Sequence, residues 1–394
     1  MATKAGVGKS MEPDATEAGV QAAQAALQAA GAETANLVLV AATVGYDQPA
    51  LLAGIRSVTG AAPLVGCTGA GVISQDGPDE SLRRVAVTVI ASDTITFTPV
   101  IAHGINEDAE AAGKNLATQL NGAWPASPQF LLLLSDGLKI NPDKLFQGLE
   151  STLTAPLPFI GGTAGETSAF KNTFQYFNDQ VLQDVAIAVL FAGNFTYDVG
   201  VSHGSRPVGI TREVTKAEGN HIFEIDHKPA FEVFKEFLGA DVTELTNTTV
   251  SGMCLGVETP LEARQVYEDV ALRIPIALDK NDNSIYIAGE WPAGTRLLVC
   301  RRDPDSILRR AQEIADGIKS RHSDKAPLLV MHFDCAGRSK TLIGEETAVK
   351  EVAANQVFGK DVPWFGFYTF GEIAPIQNKN FFHNWTSVVL AIYE

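Results

Sequence analysis

Four side chains able to do chemistry fall in two short runs near the carboxyl end of the chain: Cys335 and Arg338 in HFDCAGRSK, and Tyr368 and Glu372 in GFYTFGEIAP. Cys335 and Arg338 directly follow an apolar run, which places them at the carboxyl end of a strand, where open α/β sheets hold ligands. A guanidinium fork binds a carboxylate in bidentate fashion, so Arg338 is a candidate anion contact. Glu372 could hold an ammonium group, and Tyr368 could offer a ring face or a hydroxyl. Together Arg338 and Glu372 would suit a zwitterion; equally, Arg338 could pair with Glu372 or Asp334 inside the protein. His383 and Asn384, just before the last strand, either complete such a pocket or cap a turn. Cys335 as a nucleophile would need a base, and His332, three residues earlier on a strand, faces the opposite side. No GxSxG, HExxH, kinase set or metal-spaced His pair occurs, so a binding protein is expected and a thiol-dependent enzyme using Cys335 is the alternative.

Three glycine-bearing loops share a pattern: PLVGCTGAG from Pro63, PFIGGTAGE from Pro158 and PWFGFYTFGE from Pro363. Glycine permits positive φ and close backbone approach, either to a ligand or to a neighbouring strand. On the first reading Gly66, Cys67 and Thr68, with Gly162, Thr163 and Glu166, form site walls; on the second the loops are tight structural turns.

The elements around these loops recur. Pro49 and Pro142 are 93 residues apart, Gly54 and Gly148 94, Gly66 and Gly161 95, and His103-Gly104 and His203-Gly204 100. A one-way drift of this kind is what small insertions between two copies of one unit produce. Each copy reads as strand, Pro-opened helix, strand and alternating strands, with 85–90 and 94–100 suiting an antiparallel hairpin. A third copy follows: LLVMHF, a helix over 345–354, the loop at Pro363, and SVVLAIY. The fold class is mixed α/β in two domains built from repeated β-α-β plus hairpin units. The expected division is a leader and first helix at 1–35, a first domain at 36–230 and a second at 231–394. GVGKS near the start lacks the first glycine of a P-loop and reads as part of a disordered leader.

Thirty basic against 46 acidic residues leave a formal charge of −16, which disfavours nucleic acid and anionic membranes as partners. The mean hydropathy of +0.06 and 45% hydrophobic share suffice for a packed core, while no apolar run approaches a membrane span. No signal-peptide pattern opens the chain, so a cytoplasmic protein is expected. Four scattered cysteines without CxxC suggest neither a zinc site nor a disulfide framework.

HFDCAGRSK, GFYTFGEIAP, FFHNWTSVV, PLVGCTGAG, PFIGGTAG and VSHGSRPVG followed by EGNHIFEIDHKPA, in that mutual arrangement over roughly residues 36–392, resemble the FIST family with its amino-terminal and carboxyl-terminal domains. The resemblance implies a bacterial-type sensory module that binds a small ligand, an amino acid or related metabolite, and works with histidine kinases, diguanylate cyclases or chemotaxis-type transducers. The chain ends on a sheet strand, so signalling is expected to pass to a separate partner. A haem-binding branch, the NosP nitric-oxide sensors, is similar in layout; if haem were bound, His203 or His103 would be the axial ligand. The run Ala41 to Asp47 departs from that branch, which carries a small Cys/Ser pair there.

Overall fold

The computed structural model describes residues 3–167, 169–239, 242–245, 252–265 and 267–394. Within it one pattern occurs three times: strand, helix, strand, helix, strand, short hairpin, strand. The first unit comprises β1 (Lys4–Ser10), α1 (Ala15–Ala30), β2 (Leu37–Ala42), α2 (Gln48–Thr59), β3 (Leu64–Thr68), the hairpin β4 (Val72–Ser74) and β5 (Gly77–Asp79), and β6 (Val85–Ala91). The second comprises β7 (Ile95–His103), α3 (Ala109–Gly122), β8 (Pro128–Ser135), α4 (Pro142–Thr152), β9 (Phe159–Thr163), the hairpin β10 (Gln175–Phe177) and β11 (Gln180–Leu182), and β12 (Val185–Gly193).

The third unit opens with β13 (Thr196–Ser202) and is then interrupted. The inserted part carries β14 (Ser205–Glu218), β15 (His221–Ile225), β16 (Lys228–Pro229), α5 (Ala230–Leu238), β17 (Met253–Glu258), β18 (Val270–Arg273), β19 (Pro275–Asp279), β20 (Ser284–Ile287) and β21 (Arg296–Arg302). The unit then resumes as α6 (Pro304–Arg321), β22 (Leu329–Cys335), the short α7 (Lys340–Ile343), α8 (Glu345–Asn355), β23 (Trp364–Thr369), the hairpin β24 (Glu372–Ile376) and β25 (Lys379–His383), and β26 (Ser387–Tyr393).

Local chemistry accounts for the helices. Asp14, Asp47, Asp108, Asn141 and Asp303 each accept a hydrogen bond from the backbone N–H three residues on, and Pro49, Pro142 and Pro304 sit in the first turn of their helices, where the missing N–H costs nothing. The repeated glycines serve helix crossing. A Cβ on Gly54 would come within 2.1 Å of the Thr16 carbonyl, and one on Gly148 within 2.1 Å of the Glu110 carbonyl, so the paired helices of the first two units touch backbone to backbone.

The units interlock through their hairpins. The sheet orders are β1-β6-β2-β3-β10-β11, β25-β24-β9-β8-β12-β7 and β13-β26-β22-β23-β4-β5. Each unit therefore lends its hairpin to the sheet of another. The inward residues of all three sheets, such as Leu39, Leu132 and Met331, share one central core. The outward residues Val38, Leu133 and Val330 meet the helices that cover each sheet. Strands buried on both faces read as continuous apolar runs for this reason. The inserted part forms its own antiparallel sheet, β18-β17-β21-β14-β15-β20-β19, with β16 pairing on β15.

Two expectations are corrected here. Residues 4–10 are not a disordered leader: β1 pairs antiparallel with β6 over its whole length, and Gly6 and Gly8 lie so close to α1 that a Cβ would reach its backbone at 2.2 and 2.1 Å. The strands at 85–91 and 95–103 are not a hairpin with each other, since β6 joins the first sheet while β7 pairs with β12 in the second. The alternation that suggested a hairpin belongs to strands with one face on the common core. Among the described residues no helix is long and apolar enough to cross a membrane.

Candidate functional site

The parallel pairing of each unit puts equivalent residues at equivalent strand ends. Ala42 faces Thr68, Ser135 faces Thr163, and Cys335 faces Thr369. Only the third set borders a sizeable cavity, because only there does the inserted sheet lean over the strand ends. The cavity measures about 400 Å³, within the range of small-molecule sites. Its walls include Gly137, Leu138, Ile140 and Asn141 after β8, Cys335 to Gly337 after β22, Thr369 and Phe370 from the third loop, Phe382 and Trp385, and Ile274 to Ile276 with Ile287 to Gly289 from the insertion. Phe170 lies at the mouth, stacked on Phe370 with ring centroids 5.1 Å apart.

At the inner end, Cys335 and Thr369 stand in front of Glu372. The Thr369 hydroxyl donates to one Glu372 oxygen at 2.6 Å, and the Thr386 N–H donates to the other at 3.1 Å. Burial pushes the Glu372 carboxyl up to about 8, so it is a neutral acid near pH 7. Burial also holds the Cys335 thiol well above its ordinary value, with Glu372 adding to the effect and the N–H groups of Gly337 and Trp385 opposing it. His332 is pushed down to about 3, first by burial and then by Arg338, and its ring meets the Ser387 hydroxyl at 2.8 Å. Cys335 thus stays a protonated thiol beside a Glu372 carboxyl that is itself neutral near pH 7, and His332, engaged with Ser387, does not serve it as a base.

The other residues singled out from the sequence divide sharply. Arg338 is fully buried and is not an anion contact. Its guanidinium donates to Glu351, lies 3.0 Å from Asp334, and donates to the carbonyls of His203 and Trp385 at 2.9 and 3.0 Å. Its partners include Asp334, as the alternative reading allowed, and Glu351, which that reading did not name. Tyr368 is buried beneath the loop and away from the cavity, with Asp334 and Glu351 as charged neighbours. His383, neutral and pushed down to about 3 chiefly by burial, meets Tyr267 and the Ala374 carbonyl. Asn384 accepts from the Ile274 N–H and donates to Phe370 O, so both residues fasten the insertion to the third unit rather than face a ligand.

The first loop takes no part in the cavity. A Cβ on Gly66 would lie 2.1 Å from the Val40 carbonyl, one on Gly161 2.1 Å from Leu133 O, and one on Gly366 2.3 Å from His332 O. The shared glycine exists for close strand contact, the structural alternative. Cys67 is fully buried in β3, and Thr68 exchanges hydrogen bonds with Phe174. A Cβ on Gly162 would come within 2.6 Å of the Thr369 side chain. Thr163 receives the third loop through its N–H to Gly371 O at 2.8 Å. Glu166 accepts from the Phe170 N–H and so positions the aromatic at the mouth.

Haem does not fit the residues proposed for it. Both ring nitrogens of His203 are engaged, one with Val270 O at 2.8 Å and the other with the Ser205 N–H at 2.9 Å beside Glu268. His103 is exposed at the end of β7, in an open groove lined by helix residues such as Glu107, Asp108 and Asn115.

Sequence reasoning missed Trp385, which lies in the αL region at φ 58°, a strained conformation for a bulky residue. The Arg302 guanidinium lies 3.5 Å from its ring centroid. It also missed the insertion's contribution from Ile274 to Gly289, which bears no motif. The FFHNWTSVV run was a signal for Trp385, but nothing in it separates a cavity wall from a core aromatic.

Three interlocked α/β units with an apolar cavity roofed by an inserted sheet form a fold with room for a small molecule. The chain belongs to the FIST family: the FIST N domain matches residues 36–228 and the FIST C domain residues 230–375. It is 29% identical over 289 residues to an uncharacterized protein of Methanocaldococcus jannaschii, covering 70% of this chain and 54% of that one. The chain thus spans about half the length of that relative. It is 24% identical over 388 residues to an uncharacterized protein of Mycobacterium tuberculosis, covering 97% of both. Among solved structures it is distantly similar to a chorismatase, with TM-score 0.36, 9% identity and coverage of 100% and 98% of the two chains. A cyanuric acid hydrolase gives TM-score 0.27, 11% identity and coverage of 77% and 100%.

Proposed function

We propose that this chain holds a small metabolite in the cavity between the second and third units. The bound state is then read by a separate signalling protein such as a histidine kinase or diguanylate cyclase. FIST domains are sensory ligand-binding modules. The observation that carries the assignment to this place is the cavity itself, which lies at the carboxyl ends of β8 and β22 and takes walls from both family domains. A ligand there touches elements drawn from distant parts of the chain, so its binding energy is coupled to how they sit together.

Native mass spectrometry of the purified full chain after incubation with a metabolite extract tests this. A non-covalent adduct is expected, and it should be lost in Leu342→Trp, which fills the cavity from α7. An adduct of equal occupancy in that variant would place the ligand elsewhere.

A further inference from the structure

Among the described residues, the walls of the cavity carry no formal charge. Every side chain that borders it is apolar or an uncharged polar group, the latter being Asn141, Asn220, Cys335 and Thr369. Charged residues do stand behind the walls, but turned to partners. Arg338 is enclosed by Asp334 and Glu351. Arg302 lies over the Trp385 ring and donates to Gly337 O at 2.6 Å. Behind Gly289, Arg273 is 3.6 Å from Asp143 and donates to the carbonyls of Leu272 and Phe382. Glu290 accepts from the Asn141 amide at 2.8 Å.

A charged group brought into this space would leave water without meeting an opposite charge, an unfavourable exchange of several kcal/mol. The mouth is apolar too: Phe170 and Ile276 are each 55% exposed.

We infer that the ligand is an uncharged molecule with an apolar or aromatic body, and that zwitterions and carboxylates are refused. This rests on the cavity being the binding site, and it replaces the Arg338 and Glu372 pairing that a zwitterion would need. The body lies among Phe370, Phe382, Ile274 and Ile287.

Three probes with one phenylalkyl skeleton separate the possibilities: 4-phenylbutan-2-one, 3-phenylpropanoate and phenylalanine, each titrated against the full chain with the melting temperature as readout. The ketone is expected to raise it, with the two charged probes needing concentrations on the order of 100-fold higher. The shift should vanish in Leu342→Trp. If phenylalanine or phenylpropanoate stabilises as well as the ketone, and Leu342→Trp abolishes the effect, the uncharged class is overturned while the site stands. If none of the probes stabilises, or the shift survives Leu342→Trp, both the class and the site fall.

Discussion

Arg338 shows how far residue chemistry can be read without geometry. Its guanidinium was recognisable as the strongest anion contact in the chain, and it does bind carboxylates, but they are the protein's own. Asp334 is its near neighbour on β22, whereas Glu351 reaches it from α8, and nothing in a sequence marks which face of a helix will be covered. Removing the cation leaves two carboxyls buried with no counter-charge, so Arg338→Met should destabilise the fold by about 3–5 kcal/mol. Urea unfolding of the full chain reads this, and a loss below about 1 kcal/mol would show that Arg338 is not the centre of a buried network. Glu372 makes a second test. Its carboxyl is raised from an ordinary 4.5 to about 8, so the unfolded chain releases that proton above about pH 4.5 while the folded chain keeps it. The group's contribution is fully present below that value and gone above about 8, and stability falls with rising pH in between. Glu372→Gln should reduce the fall by about 1.4 kcal/mol per pH unit, measured as urea midpoints at pH 5, 6.5 and 8. An unchanged slope would mean that Glu372 ionises normally in the fold.

At the scale of elements the repeats were legible because interior strands, Pro-opened helices and glycine contacts are set by local rules that do not depend on which sheet receives them. Pro142 follows the N-cap Asn141, and Gly66 and Gly161 face the same kind of carbonyl, whatever lies beyond. Pairing between elements was not legible. β6 and β7 alternate like a hairpin, and only tertiary structure sends them to different sheets. The cavity wall that the inserted sheet supplies escaped for a related reason: Ile274 and Ile287 are ordinary apolar side chains. The first strand escaped because its glycines read as flexibility, when they serve close packing. Gly8 admits the backbone of α1, with Ala22 O 2.1 Å from where a Cβ would stand. Gly8→Val should therefore part β1 from α1 and lower stability by about 2–4 kcal/mol, whereas Lys4→Val, at an exposed position of the same strand, should change it by less than about 0.5 kcal/mol. Equal effects in urea titrations would show that β1 is not packed as described.

Over the whole molecule, the two family domains follow one another in sequence but share sheets in space. The second sheet contains β24 and β25 from beyond residue 230. The third contains β4, β5 and β13 from before it, paired with β23 and β26. The inserted sheet is divided as well, since β14 and β15 pair with β21 and β20 across the same point. The ends of the chain are joined too: Glu394 accepts from the Thr3 N–H at 2.7 Å and the Thr94 hydroxyl at 2.6 Å. A segment ending at residue 229 would expose the edge of β9 and the inner face of its second sheet, and the complementary segment would lose three strands of its own sheet. Neither could cover its part of the common core, and unpaired strand edges promote aggregation. Residues 1–229 and 230–394 produced separately should show no cooperative thermal transition, whereas the intact chain should unfold in a single one. Mixing the two fragments from denaturant should restore that transition together with the ligand response. A cooperative transition in either fragment alone would show that strand exchange is not what holds the domains together, and would return the cavity to one of them.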